Sequence, residues 1–186
     1  MKAFKISLLA GLMALPFVAS AQAADLAPAA PADNSEAMGL YLRGDAGMSF
    51  LNWSGGNDDY GYLAGGGIGY RYNDNMRMDV TVDWAGQYSI GSGADLSTTT
   101  VLGNLYYDWA NDSAFTPYVG AGIGYGWVAN DGGEDKSGLA LGLAAGVAVD
   151  LTSNLALDVG YRFRDTMVSG SDPMEHQAVV GLRYSF

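Results

Sequence analysis

The sequence predicts an all-β fold: a closed, eight-stranded antiparallel transmembrane β-barrel with both termini in the periplasm. Three observations predict it. From Leu40 onward, large apolar residues alternate with polar or small ones at a period of two, as a pleated strand requires. The stretches between these segments alternate short and long, as in barrels with short turns on one side of a membrane and longer loops on the other. The chain of 186 residues carries 27 Gly and 12 Tyr but no Cys, so neither disulfides nor a thiol-bound metal can hold it together.

Residues 1–23 read as a signal peptide. Lys2 and Lys5 supply the positive start, residues 6–18 the apolar core, and Ala21-Gln22-Ala23 the small-residue cleavage site. That apolar run is short for a membrane-spanning helix. Residues 24–38, "ADLAPAAPADNSEAM", have no period and read as a flexible periplasmic leader. The barrel is expected over 39–186. Removing Lys2 and Lys5 with the signal takes the formal net charge from −11 to −13. Such a chain has no basic face for nucleic acid.

Eight segments follow, at about 40–50, 60–72, 76–84, 98–109, 116–127, 137–150, 155–163 and 174–186, with boundaries good to about 2–4 residues. In "LYLRGDAGM", Leu40, Leu42, Gly44, Ala46 and Met48 share one face and Tyr41, Arg43, Asp45 and Gly47 the other. In "MRMDVTVDW", Met76, Met78, Val80, Val82 and Trp84 alternate with Arg77, Asp79, Thr81 and Asp83. In "LALDVGYRF", Leu155, Leu157, Val159, Tyr161 and Phe163 alternate with Ala156, Asp158, Gly160 and Arg162. A helix would scatter these charges, whereas a strand sorts them. Of the connections, 73–75, 110–115 and 151–154 are short, and 51–59, 85–97, 128–136 and 164–173 longer. The first is long, so the first strand is expected to run outward, leaving both termini periplasmic.

Several motifs point elsewhere and fail on spacing. Gly138, Gly142 and Gly146 repeat every fourth residue, but their apolar run is far too short for a helix pair in a membrane. As a strand it puts Leu139, Leu141, Leu143, Val147 and Val149 towards lipid and Gly or Ala inside. The glycine runs at 65–69 and 120–126 lack nucleotide-binding spacing and a following helix. "NDGGED" does not match a calcium loop. No metal site, cofactor or catalytic residue is expected. His176, the one histidine, has no evident triad partner and reads as an interface residue near the outer rim.

The alternation directs Arg43, Arg71, Arg77, Arg162, Arg164 and Arg183 inward with Asp45, Asp79, Asp83, Asp108, Asp150, Asp158 and Glu175. A barrel this narrow holds only its own side chains, and buried charges must be paired. A plug of salt bridges is expected, with Arg77, Asp79 and Asp83 on one face, and not an ion-selective pore. Outward rings form two girdles: Tyr70, Tyr72, Tyr107, Trp109, Tyr184 and Phe186 at one end, and Phe50, Trp84, Trp127, Tyr161 and Phe163 at the other.

The segments "LYLRGDAG", "GGGIGYRYND", "NLYYDW", "FTPYVGAGIGYG" and the terminal "LRYSF" resemble the small OmpA-like and opacity-type outer-membrane barrels of alphaproteobacteria, the surface-antigen group. The resemblance covers 40–186. It implies residence in the outer membrane of a Gram-negative bacterium, among lipid and lipopolysaccharide. It also implies a structural, porin or adhesin role without a shared active site. The closing strand with Tyr184 and Phe186 resembles the signal read by the barrel assembly machinery. Some members of the group begin, once mature, with Ala-Asp and are linked to peptidoglycan by transpeptidases. Ala24-Asp25 follows the best cleavage site here, so the resemblance implies attachment through Ala24. A leader of this length reaches about 22 Å on average and about 50 Å at most.

Overall fold

A computed structural model describes residues 39–53, 58–89, 95–130, 135–168 and 173–186. The signal peptide and the leader, with Ala24 and Asp25, lie outside the described residues. Eight strands follow in order: β1 Gly39–Trp53, β2 Asp59–Asn73, β3 Met76–Ser89, β4 Asp95–Asp108, β5 Phe115–Asn130, β6 Lys136–Asp150, β7 Leu155–Met167 and β8 Pro173–Ser185. Each pairs antiparallel with its neighbour, and β8 pairs with β1 to close the barrel. That seam runs from Tyr41 opposite Ser185 to Trp53 opposite Pro173, and the Phe186 amide donates to the Leu40 carbonyl at 3.1 Å.

The connections at the end bearing Gly39 and Phe186 are pinned by side chains that bond the nearby backbone, the habit of Asn and Thr in turns. Asn73 Oδ1 accepts from the amides of Asn75 (2.9 Å) and Met76 (2.8 Å). Asn154 donates to the Ser185 carbonyl at 2.9 Å, tying the β6–β7 turn to the closing strand.

At the opposite end the strands run further than the sequence pattern indicates. The connections there shrink to 54–58, 90–94, 131–135 and 168–172, no longer than 109–114 at the turn end. The expected alternation of loop lengths is therefore corrected. Its physical reason is that the apolar signal lapses before the backbone ladder does. Asn52, Ser97, Ser137 and Asp165 still occupy outward positions in paired strands, beyond the level where lipid demands apolar side chains. What distinguishes the two ends is this polar overshoot.

The core is the lumen. Buried and exposed residues alternate along β8 without a break, and the outward face is apolar. One irregularity matters: between Ala85 and Tyr88 the β3–β4 register shifts. This bulge inserts an extra residue and reverses which side chains face inward, so Tyr88 turns into the barrel and is fully buried.

Glycine supplies the space for large inward side chains. Asp83 lies across from Gly65, Asp45 from Gly181, Tyr106 from Gly120 and Tyr118 from Gly146. A Cβ at any of these glycines would overlap the polar group or ring opposite. The high glycine content thus reflects volume inside a narrow tube, since neighbouring inward side chains cannot both be large.

Candidate functional site: a lumen sealed in layers

At the turn end, Arg77 Nε donates to Asp108 at 2.9 Å, Arg71 reaches the same carboxylate at 3.4 Å, and Arg183 lies 3.4 Å from Asp158. Asp150 is only half-buried and borders a polar recess with Arg71 and Thr116. Above this layer, the Arg77 guanidinium lies 4.2 Å from the Tyr106 ring centre and 4.9 Å from that of Tyr118. The two rings meet edge to face at 6.0 Å. Desolvated cation–ring contacts of this kind contribute on the order of 2 kcal/mol.

The central layer is one continuous chain of charge. Arg43 grips Asp45 through Nε (3.0 Å) and Nη2 (2.9 Å), and its Nη1 donates to Asp79 and to the Tyr106 hydroxyl, both at 3.0 Å. Arg162 spans Asp45 (3.0 Å) and Asp83 (3.1 Å), and Arg164 takes the other Asp83 oxygen at 2.5 Å. Asp79 also accepts from Asn104 (2.8 Å) and the Tyr41 hydroxyl (3.0 Å). Carboxylates bound by two or three donors recover much of the hydration lost on burial.

Towards the other end the chemistry changes. Glu175 accepts from Thr98 (2.6 Å), Tyr88 (3.2 Å) and Gln177 (3.0 Å), all uncharged. Around it Leu51, Leu63, Ala85, Tyr88, Leu96, Val128, Val168 and Val179 pack into a buried apolar cap, with Leu51 directly opposite Glu175 in the ladder. A void of about 10 Å³ beside Asn104, Tyr106, Arg162 and Arg164 has room for at most one water. The larger hollow, about 730 Å³, lies on the outer wall over Gly103, between Ile68, Val80, Leu105 and Ile123. It faces lipid, not the lumen.

Of the charged residues expected inside, Arg43, Asp45, Arg71, Arg77, Asp79, Asp83, Asp108, Asp158, Arg162, Arg164, Glu175 and Arg183 are buried, and Asp150 is half-buried at the rim. Their pairing differs from what one strand suggests. Arg77 binds Asp108 and Asp79 binds Arg43, because bridges form across strands and not between alternate residues of β3. Sequence reasoning missed the tyrosine belt of Tyr106 and Tyr118 and the apolar cap. Inward-phase Leu63 lies within the expected 60–72 segment, whereas Leu96 and Val128 fall just outside 98–109 and 116–127. Outward, Tyr184 and Phe186 stack edge to face at 5.3 Å, and Tyr60, Tyr62 and Tyr125 join the expected girdles. His176 is exposed on the outward face.

Residues 10–186 match the model of a family described as the outer membrane protein beta-barrel domain. The chain belongs to this family. Similar curated proteins include an uncharacterized protein of Brucella abortus, 31% identical over 78% of this chain and 76% of its own. Another is the outer membrane protein PagN of Salmonella typhimurium, 26% identical over 67% of this chain and 73% of its own. Among solved structures, Neisserial surface protein A superposes with a TM-score of 0.71, at 27% identity over 79% of this chain and 97% of its own. The opacity-type resemblance is thereby supported, and the barrel is an outer-membrane protein of a Gram-negative bacterium. The apolar outward face and ringed ends of this member fit that surrounding.

Proposed function

We propose that this barrel is a structural component of the envelope, a non-conducting outer-membrane element that also tethers the membrane to the cell wall. The sealed lumen carries the first half of the reading. An ion entering from the turn end would have to separate Arg77 from Asp108, break the Arg43–Asp45–Arg162–Asp83 chain and then pass the Leu51–Leu96 cap. Each step costs several kcal/mol. Planar-bilayer recording of the refolded wild type is expected to give no reproducible single-channel steps. Sizeable, regular steps would instead support a porin.

The tether reading rests on the leader. Gly39 and Phe186 sit at the same end of the barrel as the β2–β3, β4–β5 and β6–β7 connections, opposite the polar overshoot of the strands, and this is the end we assign to the periplasm. Residues 24–38 precede β1 at that end of the chain, and Pro28 and Pro31 disfavour a helix in such a segment. An α-amine titrating near ~8 is a usable nucleophile. The Ala24 amine would attack the acyl-enzyme that a separate transpeptidase forms on a peptidoglycan stem, making an amide and freeing the transpeptidase. Muramidase digestion of purified sacculi is expected to release this protein with a muropeptide on Ala24. Replacing Asp25 by a bulky residue should reduce that species while the barrel still folds. Recovery of only free N-termini would remove the tether and leave the barrel.

A further inference from the structure

The outward face holds a polar arrangement that neither the lumen network nor the tether uses. Tyr60, Phe50, His176 and Phe163 form a row across four adjacent strands, β2, β1, β8 and β7, each opposite the next in the ladder. Successive ring centres are 4.9, 6.3 and 5.3 Å apart. Tyr161, one step along β7, brings its hydroxyl to 2.5 Å from His176 Nδ1. The ring contacts at the turn end are different. Tyr107 with Trp109, and Tyr184 with Phe186, run along single strands and contain no nitrogen base.

Charge makes the row distinctive. Of the Lys and Arg beyond residue 38, six arginines are buried, and Lys136, exposed at the rim of β6, pairs in register with inward Val128 and not with an outward position. An anionic lipid lying against the wall therefore finds no Lys or Arg on it, and His176 is the one basic side chain facing outward. From Tyr184 to His176 the strand climbs about 20 Å, given ~3.3 Å per residue and a ~40° tilt. That height places His176 at the headgroup level of the leaflet opposite the turn end, and not in mid-bilayer.

Among the described residues His176 Nε2 has no partner, while Nδ1 is occupied by Tyr161. Lipid headgroups offer chiefly acceptors. The matching tautomer has Tyr161 donating to Nδ1 and Nε2–H directed at the lipid. Flat rings on both sides of the donor present faces that suit the C–H surface of a sugar, and the donor suits a phosphate or hydroxyl oxygen beside it.

We propose that the Tyr60–Phe50–His176–Phe163 row is a binding site for a phosphorylated glycolipid of the outer leaflet. The sugar lies against Phe50 and Phe163, and a phosphate oxygen accepts from His176 Nε2. Tyr161 is a positioning residue that fixes the imidazole. The proposal rests on the orientation given under Proposed function, with the turn end in the periplasm.

Because the chain has a single His, selective labelling gives one imidazole signal. The full mature chain in phosphatidylcholine nanodiscs would be titrated separately with diphosphorylated lipid A, dephosphorylated lipid A and phosphatidylglycerol. The expected result is a saturable shift of the ring resonances with diphosphorylated lipid A. Dephosphorylated lipid A and phosphatidylglycerol should each act at least about tenfold more weakly. Tyr161→Phe should lower the lipid A affinity about tenfold with the barrel intact, the usual loss when a bond to a charged group is left poorly aimed. An equal response to phosphatidylglycerol would overturn the glycolipid site in favour of generic anionic lipid, and no response to any lipid would overturn binding. Labelling of Asp135→Cys in intact cells separates this from the orientation. An accessible thiol with no ring shift sinks the site alone, whereas a thiol reached only after the outer membrane is opened sinks the orientation beneath it.

Discussion

Asp83→Leu is expected to destabilise the barrel by about 3–5 kcal/mol. Asp83 is 4% exposed and is the shared partner of Arg162 and Arg164. Leucine is bulkier than aspartate and carries no charge, so it leaves two guanidinium groups facing each other inside the barrel. Arg162 keeps Asp45, and Arg164 keeps only its bond to Thr100 and the nearby Glu175. Equilibrium unfolding in urea from detergent micelles, followed by tryptophan emission, measures the loss. Asp112→Asn, at an exposed turn position, should stay within about 0.5 kcal/mol of wild type. A loss below about 1 kcal/mol for Asp83→Leu would mean that water reaches the central layer, and the lumen would not be sealed.

Gly65→Val should be nearly as damaging, for the opposite reason. A Cβ there would land on the Asp83 carboxylate, its cross-strand neighbour. Overpacking alone costs about 1–3 kcal/mol, and pushing the carboxylate aside strains both arginine bridges as well. Gly103→Val is the matched control. It lies on the outward face, where a Cβ has as its nearest neighbour the Ile123 carbonyl oxygen at 3.9 Å, and valine favours strand. That variant should fold at least as well as wild type. Equal losses at the two sites would mean that backbone entropy, not lumen volume, governs these glycines.

Much of this architecture was legible because a strand has one rule. Once Arg77, Asp79 and Asp83 are in phase on β3, their shared direction follows, and the apolar partners Met78, Val80 and Val82 say which direction is inward. Three things were hidden for physical reasons. The strand ends were missed because backbone pairing outlasts the apolar pattern. Tyr88 was missed because a bulge reverses phase without any signature in composition. The bridges were missed because partners such as Arg43 and Asp79 stand 36 residues apart, and only the cross-sectional order of strands brings them together. The His176 row has the same origin: Phe50, Phe163 and His176 belong to three strands, and no local window contains them.

The seam between β1 and β8 has a consequence for assembly. Its partners, from Tyr41–Ser185 to Trp53–Pro173, are separated by most of the chain. Until β8 is in place, any partial sheet has two unpaired edges, and each is a template for joining another chain. Contacts so distant in sequence also form slowly. The polypeptide must therefore be kept apart from its copies while it travels, and then be closed in a single late event.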